Sequence, residues 1–349
     1  MNSVLVCLCL LLLLFAIELT YLRIARFFKI VAIPNNRSAH LKSTIVGGGI
    51  VVPISCLLYA CISHFQYPFF LSGLLILALV NFIDDMLDVP IKFRLLAQFA
   101  AIALLLLQFN LFSYPIALIV AVVGFLIISF NAYNFLDGIN GMLAAHTMMQ
   151  LGCLLYINRF RIHFIDDRLL IIVTAATIVF AFFNFRTKAV CFAGDVGSIT
   201  TAFIICSCII KLILVSKNFL FINLLLVYHL DAITTFIFRW IQGQNVLQAH
   251  NKHFYLFLVN VLKWPHLKVA VLYAGIQLSI NLFILYLFDL KGSDSNFYNI
   301  PYTVLLTGTM ATLVVITRIG LEGSDLFRKA PDRTFLVANQ KAPKNYKVI

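Results

Sequence analysis

Five short stretches hold most of the residues able to do chemistry. In "NFIDDMLDVP", residues 81–90, the carboxylates Asp84, Asp85 and Asp88 close a long apolar run. If the helix continues through them, Asp84 and Asp88 share a face and Asp85 sits about 100° around. Three acids at a helix C-terminus oppose the macrodipole, so a cation or a proton has to compensate them. A metal would do so, although a solvated helix end stopped by Pro90 accounts for the same residues. In "NAYNFLDGINGM", residues 131–142, Asn131, Asn134, Asp137 and Asn140 recur every third position, with Gly138 and Gly141 close behind. That spacing sets oxygen donors on one strip, and the glycines let backbone approach a ligand. Four such polar groups beside hydrocarbon are costly unless they are used.

"CFAGDVGS", residues 191–198, sets Asp195 between Gly194 and Gly197. A turn of this kind opening a helix can aim amide N–H groups and a carboxylate at a phosphate and its metal, or it can be a plain tight turn capped by Ser198. "AHNKHFY" supplies His250, Lys252 and His253. Two histidines three apart lack a third ligand suited to zinc, and with the lysine they fit a diphosphate better. "PNNRSAHLKSTIVGGG", residues 34–49, joins Arg37, His40 and Lys42 to a triple glycine. Asp231, in "YHLDAITTFIFRW", reads either as a helix-packing polar contact, with Arg239 as its candidate partner, or as a site residue.

The elements that must position these residues are membrane helices. Of 349 residues, 62% are hydrophobic and 11% charged, and the mean hydropathy of +0.98 lies far outside the range of soluble domains. Apolar runs long enough to cross about 30 Å of hydrocarbon recur along the chain. They predict an all-α integral membrane protein of about eleven transmembrane helices, over residues 3–21, 45–62, 69–83, 95–108, 112–130, 141–157, 169–185, 199–215, 219–238, 268–289 and 302–319. Residues 1–327 form one polytopic domain, and 328–349 a basic tail held near the headgroups on the cytoplasmic side.

The first run has no basic residue before its apolar core and two arginines after it, the reverse of a secretory signal, which sets the N-terminus outside. Lys and Arg then fall mostly on cytoplasmic segments, with Arg159, Arg161, Arg168, Lys217 and Lys291 outside, in accord with the positive-inside rule. The same orientation brings every polar stretch above to the cytoplasmic face. A net charge of +12 spread over connections and tail, without an aromatic-interleaved patch, points to anionic membrane lipids and an anionic substrate, and to no nucleic acid. The eight cysteines, mostly inside apolar runs and with no CxxC pair, form neither a disulfide nor a zinc framework.

Taken in order, NFIDDMLDVP, NAYNFLDGINGM, FAGDVGS and AHNKHFY resemble the polyprenyl-phosphate N-acetylhexosamine-1-phosphate transferases, grouped as glycosyltransferase family 4. The resemblance covers roughly residues 34 to 260. The stretch from Asp231 to His253 is most similar to the bacterial branch that initiates O-antigen and other surface polysaccharides. It implies Mg²⁺-dependent transfer of a HexNAc-1-phosphate from a UDP-sugar to undecaprenyl phosphate at the inner membrane, with release of UMP; Mn²⁺ is an alternative cation. It also implies residue roles. Asp84 binds or deprotonates the lipid phosphate and Asp85 shapes the surroundings of the metal. Asn134 and Asp195 are the metal ligands. Asp137, Asn131, Arg37, His40, Lys42, His250, Lys252 and His253 meet the substrates. The chain departs from the pattern at Val46, where a basic residue is common, and at Asn251, where an arginine is usual. UDP-GlcNAc is the default donor, with 6-deoxy UDP-HexNAc sugars as alternatives, and a homodimer is compatible with the sequence. A secondary transporter whose aspartates relay ions is the competing reading, but its acids would stand near the bilayer midplane. An inactive scaffold of the same fold is a third.

Overall fold

The computed structural model describes residues 3–32, 43–245, 250, 252–291 and 299–327. Helix α1 (Ser3–Phe27) leads to β1 (Val31–Ala32), which pairs antiparallel with β2 (Thr44–Ile45), Val31 opposite Ile45 and Ala32 opposite Thr44. Ten helices follow up to the last connection: α2 (Val51–Ile62), α3 (Pro68–Met86), α4 (Ile91–Gln108), α5 (Ile116–Leu136), α6 (Met142–Phe160), α7 (Asp167–Asn184), α8 (Gly194–Ser216), α9 (Leu226–Ile241), α10 (Phe254–Asn260) and α11 (His266–Lys291). The bundle closes with α12 (Ile300–Glu322).

Nine of the described helical segments are long and apolar enough to cross a membrane, so the chain is an all-α, multi-pass membrane protein. Helices form at all eleven expected positions, but two of them, α2 and α6, are not among the nine. With 12 residues, α2 reaches only about 18 Å at 1.5 Å per residue. The cause is the triple glycine, which starts a short 3₁₀ turn at Gly48–Ile50 in place of an α-helix. In α6 the apolar run is broken by His146, Gln150 and Asn158, all buried.

Local signals set the helix starts. Pro68 occupies the first turn of α3, and Pro90 and Pro115 stand immediately before α4 and α5. Gln108, at the end of α4, accepts hydrogen bonds from the amides of Phe69 and Phe70 at the start of α3, at 3.0 and 3.2 Å. Asp166 caps α7 by accepting from the Arg168 amide. Helix α8 is apolar on every side and forms the centre, packed against α2, α3, α5 and α6. Phe70 of α3 stacks on Phe203 of α8 at 5.5 Å, and Gly73 brings α3 close to Ala101 of α4. Helix α12 lies at the periphery, with Arg318 its one buried side chain and Leu306, Met310, Ala311 and Val314 packed partly against the core.

Helix direction alternates, so the C-terminal ends of α3, α5, α7, α9 and α12 meet the N-terminal ends of α4, α6, α8 and α11. The other end of the bundle is tied by short ion pairs: Arg159 with Asp167, Arg161 with Asp289 and Arg168 with Asp166. Three of the five basic residues assigned to that side are thus matched by carboxylates. Asn158 organises the same end. It accepts from the amides of Phe164 and Ile165 at 2.8 and 3.1 Å, and donates to the Ile165 carbonyl at 2.7 Å and to Asp167 at 2.6 Å. Asn158→Ala strands two buried amides and is expected to cost about 2–4 kcal/mol, read as a lowered Tm of the detergent-solubilised protein. An unchanged Tm would contradict this account of the loop.

Candidate active site

The polar stretches converge at one end of the bundle. Asp84, in the last turn of α3, is 1% exposed. Its carboxylate accepts from the Val89 amide at 3.0 Å and from the Arg94 guanidinium at 2.8 Å. The same Arg94 nitrogen stands 3.6 Å from Asp195 in the first turn of α8. Asn134, near the end of α5, donates its amide to Asp195 Oδ1 at 2.7 Å and to Ser198 Oγ at 3.3 Å. Carboxylates from two helices, an amide from a third and a guanidinium from a fourth therefore meet, with Asp195 still about a quarter exposed.

Asp85 has a different task. It is 2% exposed, and its two oxygens accept from the amides of Asp195 and Val196 at 2.8 and 3.1 Å. A carboxylate from α3 thus caps the N-terminus of α8, where the macrodipole favours negative charge. The amides that the Gly-Asp-x-Gly-Ser turn was expected to aim at a phosphate are used internally. Ser198 is no cap; it lies buried inside α8. The cap requires close backbone approach. Gly194 has φ +74, and a side chain there would run into Asp85 and, at 2.8 Å, the Gly47 nitrogen. Gly48 and Gly49 donate to the carbonyls of Phe192 and Ala193 at 2.9 and 3.1 Å, which seats the triple glycine directly on the 191–193 turn.

Helix α3 ends at Met86, and Leu87 is extended, so Asp88 leaves the helix, is exposed and shares no face with Asp84. Asn131 is exposed and donates to the Ile127 carbonyl of its own helix. Asn140 donates to the carbonyls of Arg186 and Thr187, tying the α5–α6 turn to the α7–α8 turn. Asp137 caps α5 and is half-buried. Crowding by surrounding protein, and secondarily the charge of Asp195, hold its carboxyl well above the usual carboxylate range. Arg37, His40 and Lys42 lie outside the described residues.

The histidine loop is anchored by Asp231, which is not paired with Arg239. Its carboxylate faces His253 Nδ1 at 3.1 Å, and accepts from the amides of Phe254 and Tyr255 at 3.1 and 3.2 Å and from the Tyr273 hydroxyl at 2.6 Å. Tyr255 in turn donates to the Phe135 carbonyl at 2.8 Å, which docks the loop beside Asn134. The His250 ring lies 6.0 Å from that of Phe135 and 4.8 Å from that of His253. Burial, then the neighbouring His253, Arg239 and Lys252, lower His250 to about 3, which leaves a neutral imidazole at physiological pH. Lys252 and His253 line a separate cavity between α9, α10 and α12.

Two residues with central contacts were not singled out from the sequence. Arg94 sits ten positions after Asp84, beyond the Pro90 turn, where only its charge was counted. Arg318 of α12 is 1% exposed and donates to Thr234, Thr235, the Lys252 carbonyl and Glu322. An arginine inside an apolar run is the signal that could have drawn attention to it.

A magnesium ion takes hard oxygen donors. The carboxylate of Asp195 and the amide oxygen of Asn134 are donors of that kind. Asn134 now turns its nitrogen to Asp195, so ligation by the amide requires the opposite flip. Among the described residues no group of three or more His, Cys, Asp and Glu side chains forms a cation cluster, which leaves this mixed amide and carboxylate set.

The division between Asp84 and Asp85 is measurable. Asp85→Asn replaces one of two accepting oxygens by a donor against an amide N–H. It is expected to cost roughly 2 kcal/mol or more and to lower Tm, whereas Asp84→Asn, which keeps an acceptor for the Val89 amide, moves Tm much less. Equal shifts would contradict the assignment of Asp85 as the cap.

Among comparisons with known proteins, residues 67–213 match the family model described as glycosyl transferase family 4. No curated protein matches the chain. The matched segment contains Asp84, Arg94, Asn134, Asp137 and Asp195 and stops before the histidine loop. Over that segment the chain is similar to glycosyl transferase family 4, which supports transfer of a sugar-1-phosphate between a nucleotide sugar and a lipid-phosphate carrier in a membrane.

Proposed function

We propose that the protein transfers a HexNAc-1-phosphate from a UDP-sugar to undecaprenyl phosphate, releasing UMP and starting a lipid-linked surface polysaccharide of the O-antigen type. The observation that carries this reading is the Arg94 bridge between Asp84 and Asp195, with Asn134 bonded to the same Asp195. Two polyanions meet only where charge is neutralised, and phosphoryl transfer needs alignment and neutralisation more than covalent help from protein. The arrangement supplies both at the edge of the bundle, where a lipid acceptor and a soluble donor can each reach it.

In this mechanism an oxygen of the lipid phosphate attacks the β-phosphorus of the donor, a new P–O–P bond forms, and the bond to UMP breaks. Asp84 holds Arg94 against the incoming phosphate and accepts a proton if the acceptor arrives singly protonated. Asp195 and Asn134 would hold Mg²⁺, which supplies charge neutralisation at the diphosphate. Asp85 keeps the first turn of α8, and with it Asp195, in place. Asp137, half-buried at the end of α5, is assigned to the nucleotide side. His250, neutral and beside Phe135, is the loop residue assigned to the diphosphate or sugar. Arg37, His40 and Lys42 keep the substrate-binding roles implied by resemblance.

The orientation belongs to the same proposal. The N-terminus lies outside and the site faces the cytoplasm at the inner membrane, where UDP-sugars are made. The matched arginines at the other end support it, since the unmatched excess of positive charge then lies on the site's side.

Purified protein supplied with undecaprenyl phosphate, Mg²⁺ and a panel of UDP-HexNAc donors, including UDP-GlcNAc, UDP-QuiNAc and UDP-FucNAc, is expected to release UMP and form a lipid diphosphate sugar detectable by mass. Omitting either the lipid or the metal should abolish release. Arg94→Ala and Asp195→Asn are each expected to lower the rate about 100-fold or more. If no donor in the panel releases UMP, the reading fails.

A further inference from the structure

Helix α1 lies outside the segment matched by the family model, and most of its surface faces outward. One stripe is buried, formed by Leu14, Glu18, Tyr21, Leu22 and Ala25 along a single helix face. Glu18 is the one acid on that stripe. It is fully buried within the apolar span Leu5–Phe27, and its Oε2 has no hydrogen-bond partner among the described residues. No ion pair among the described residues includes it. An ionisable side chain inside a membrane span is costly, which marks it as kept for a use and asks for its partner.

The partner is the turn that leads into Asp195. Cys191 Sγ donates to Glu18 Oε1 at 3.7 Å, an ordinary length for a sulfur donor. Cys191 is bridged in parallel to Ile45, and the Phe192 amide donates to the Ile45 carbonyl at 2.8 Å. With the bonds from Gly48 and Gly49 to Phe192 and Ala193, these contacts make a short ladder that runs directly into Gly194 and Asp195. Tyr21, one turn on from Glu18, donates its hydroxyl to the Val46 carbonyl at 2.6 Å. One face of α1 therefore grips both sides of the ladder, Cys191 by its thiol and Val46 by its carbonyl.

The grip is close. A Cβ on Gly48 would strike the Cys191 sulfur and come within 3.1 Å of Glu18 Oε1, so carboxyl, thiol and glycine backbone share one contact. From α7, Asn184 donates to the Cys191 carbonyl at 3.0 Å. Asp85 holds this turn from its downstream side, through the amides of Asp195 and Val196. Glu18 holds it from the upstream side, four residues before Asp195.

We propose that Glu18 is a positioning residue of the transfer centre, which acts through the Cys191 thiol to fix the turn that sets the Asp195 carboxylate against Asn134 and Arg94. The proposal rests on the transferase reading and extends it to a helix that the family match does not reach. The thiol needs an acceptor and not a charge, so an amide oxygen can replace the carboxyl and a hydrocarbon side chain cannot. Leucine at this position also removes a buried oxygen that lacks a partner, at the expense of one weak sulfur donor, so the bundle itself is not weakened. What leucine loses is the placement of Asp195. A role in stability alone would show the reverse, a lowered Tm with the centre intact.

The test compares purified full-length variants by Tm, by UMP release and by Mn²⁺ binding followed by EPR without substrates. Glu18→Leu is expected to keep the Tm of the wild type or exceed it, to lower kcat about tenfold with KM for the UDP-sugar nearly unchanged, and to weaken Mn²⁺ binding about threefold or more. Glu18→Gln is expected to stay within about twofold of the wild type in kcat and in Mn²⁺ affinity. Cys191→Ala should reproduce the losses of Glu18→Leu, and the double variant should lose no more than either alone, because both act through one contact. Cys191→Ala leaves α1 untouched and decides the matter if Glu18→Leu does not fold. Wild-type kcat and Mn²⁺ affinity in Glu18→Leu, a Gln variant as impaired as the Leu variant, or additive losses in the double variant each overturn the proposal. If the wild type releases no UMP from any donor, the transfer reading fails and the Mn²⁺ affinities still report whether Glu18 places Asp195. If it releases UMP and Glu18→Leu matches it, the positioning role alone fails.

Discussion

The contact on which the rest of the site depends is the carboxylate of Asp85 at the N-terminus of α8. Its two oxygens take the amides of Asp195 and Val196, groups that would otherwise be unsatisfied donors at the head of the most buried helix in the bundle. A carboxyl group there satisfies both at the positive end of the macrodipole. Because the carboxylate comes from α3, the same bonds fix α3 against α8 and set the height of Asp195 relative to Asp84. The glycines at 49, 194 and 197 follow from this constraint, since Cβ atoms at those positions would push apart the backbone that the cap draws together.

Asp231 repeats the device on the other side of the bundle. It too is a buried carboxylate that takes two consecutive backbone amides, those of Phe254 and Tyr255, at the start of a helix from another part of the chain. The two anchors fasten different halves of the cytoplasm-directed end that we propose, one holding Asp195 and the other the histidine loop. Between them runs the end of α5, which gives Asn134 to the first and the Phe135 carbonyl to the second. Charges inside a membrane protein are costly unless paired or hydrogen-bonded, and here their pairing is what aligns the elements.

Charge is also distributed unevenly between the two ends. At the far end arginines meet aspartates one for one, two of the pairs joining different helices and the third, Arg168 with Asp166, lying within the N-terminus of α7. At the site end arginines bridge carboxylates from different helices or line cavities, as Arg94 and Arg318 do. A surface that must attract phosphates needs such an excess, and a surface that only closes helix pairs does not.

Membrane class, helix positions and the set of polar stretches are legible in the residue order, because apolar runs and the rarity of charge in hydrocarbon are local properties of a chain. The five acidic or amide positions Asp84, Asp85, Asn134, Asp137 and Asp195 were legible for the same reason: each interrupts an apolar run. Tertiary structure alone decided how they divide the work. Whether two adjacent aspartates face a ligand or a helix terminus depends on where α3 ends and what packs against it, and Leu87 turning extended sent Asp88 away while Asp85 met α8. The triple glycine read as the head of a membrane span became a turn seated on residues 191–193, because close backbone approach is set by a partner 140 or so positions away. Arg94, Arg318 and the partner of Asp231 were invisible for that reason as well. A cation's role is set by the carboxylates that surround it, and those arrive from helices that only the folded bundle brings together.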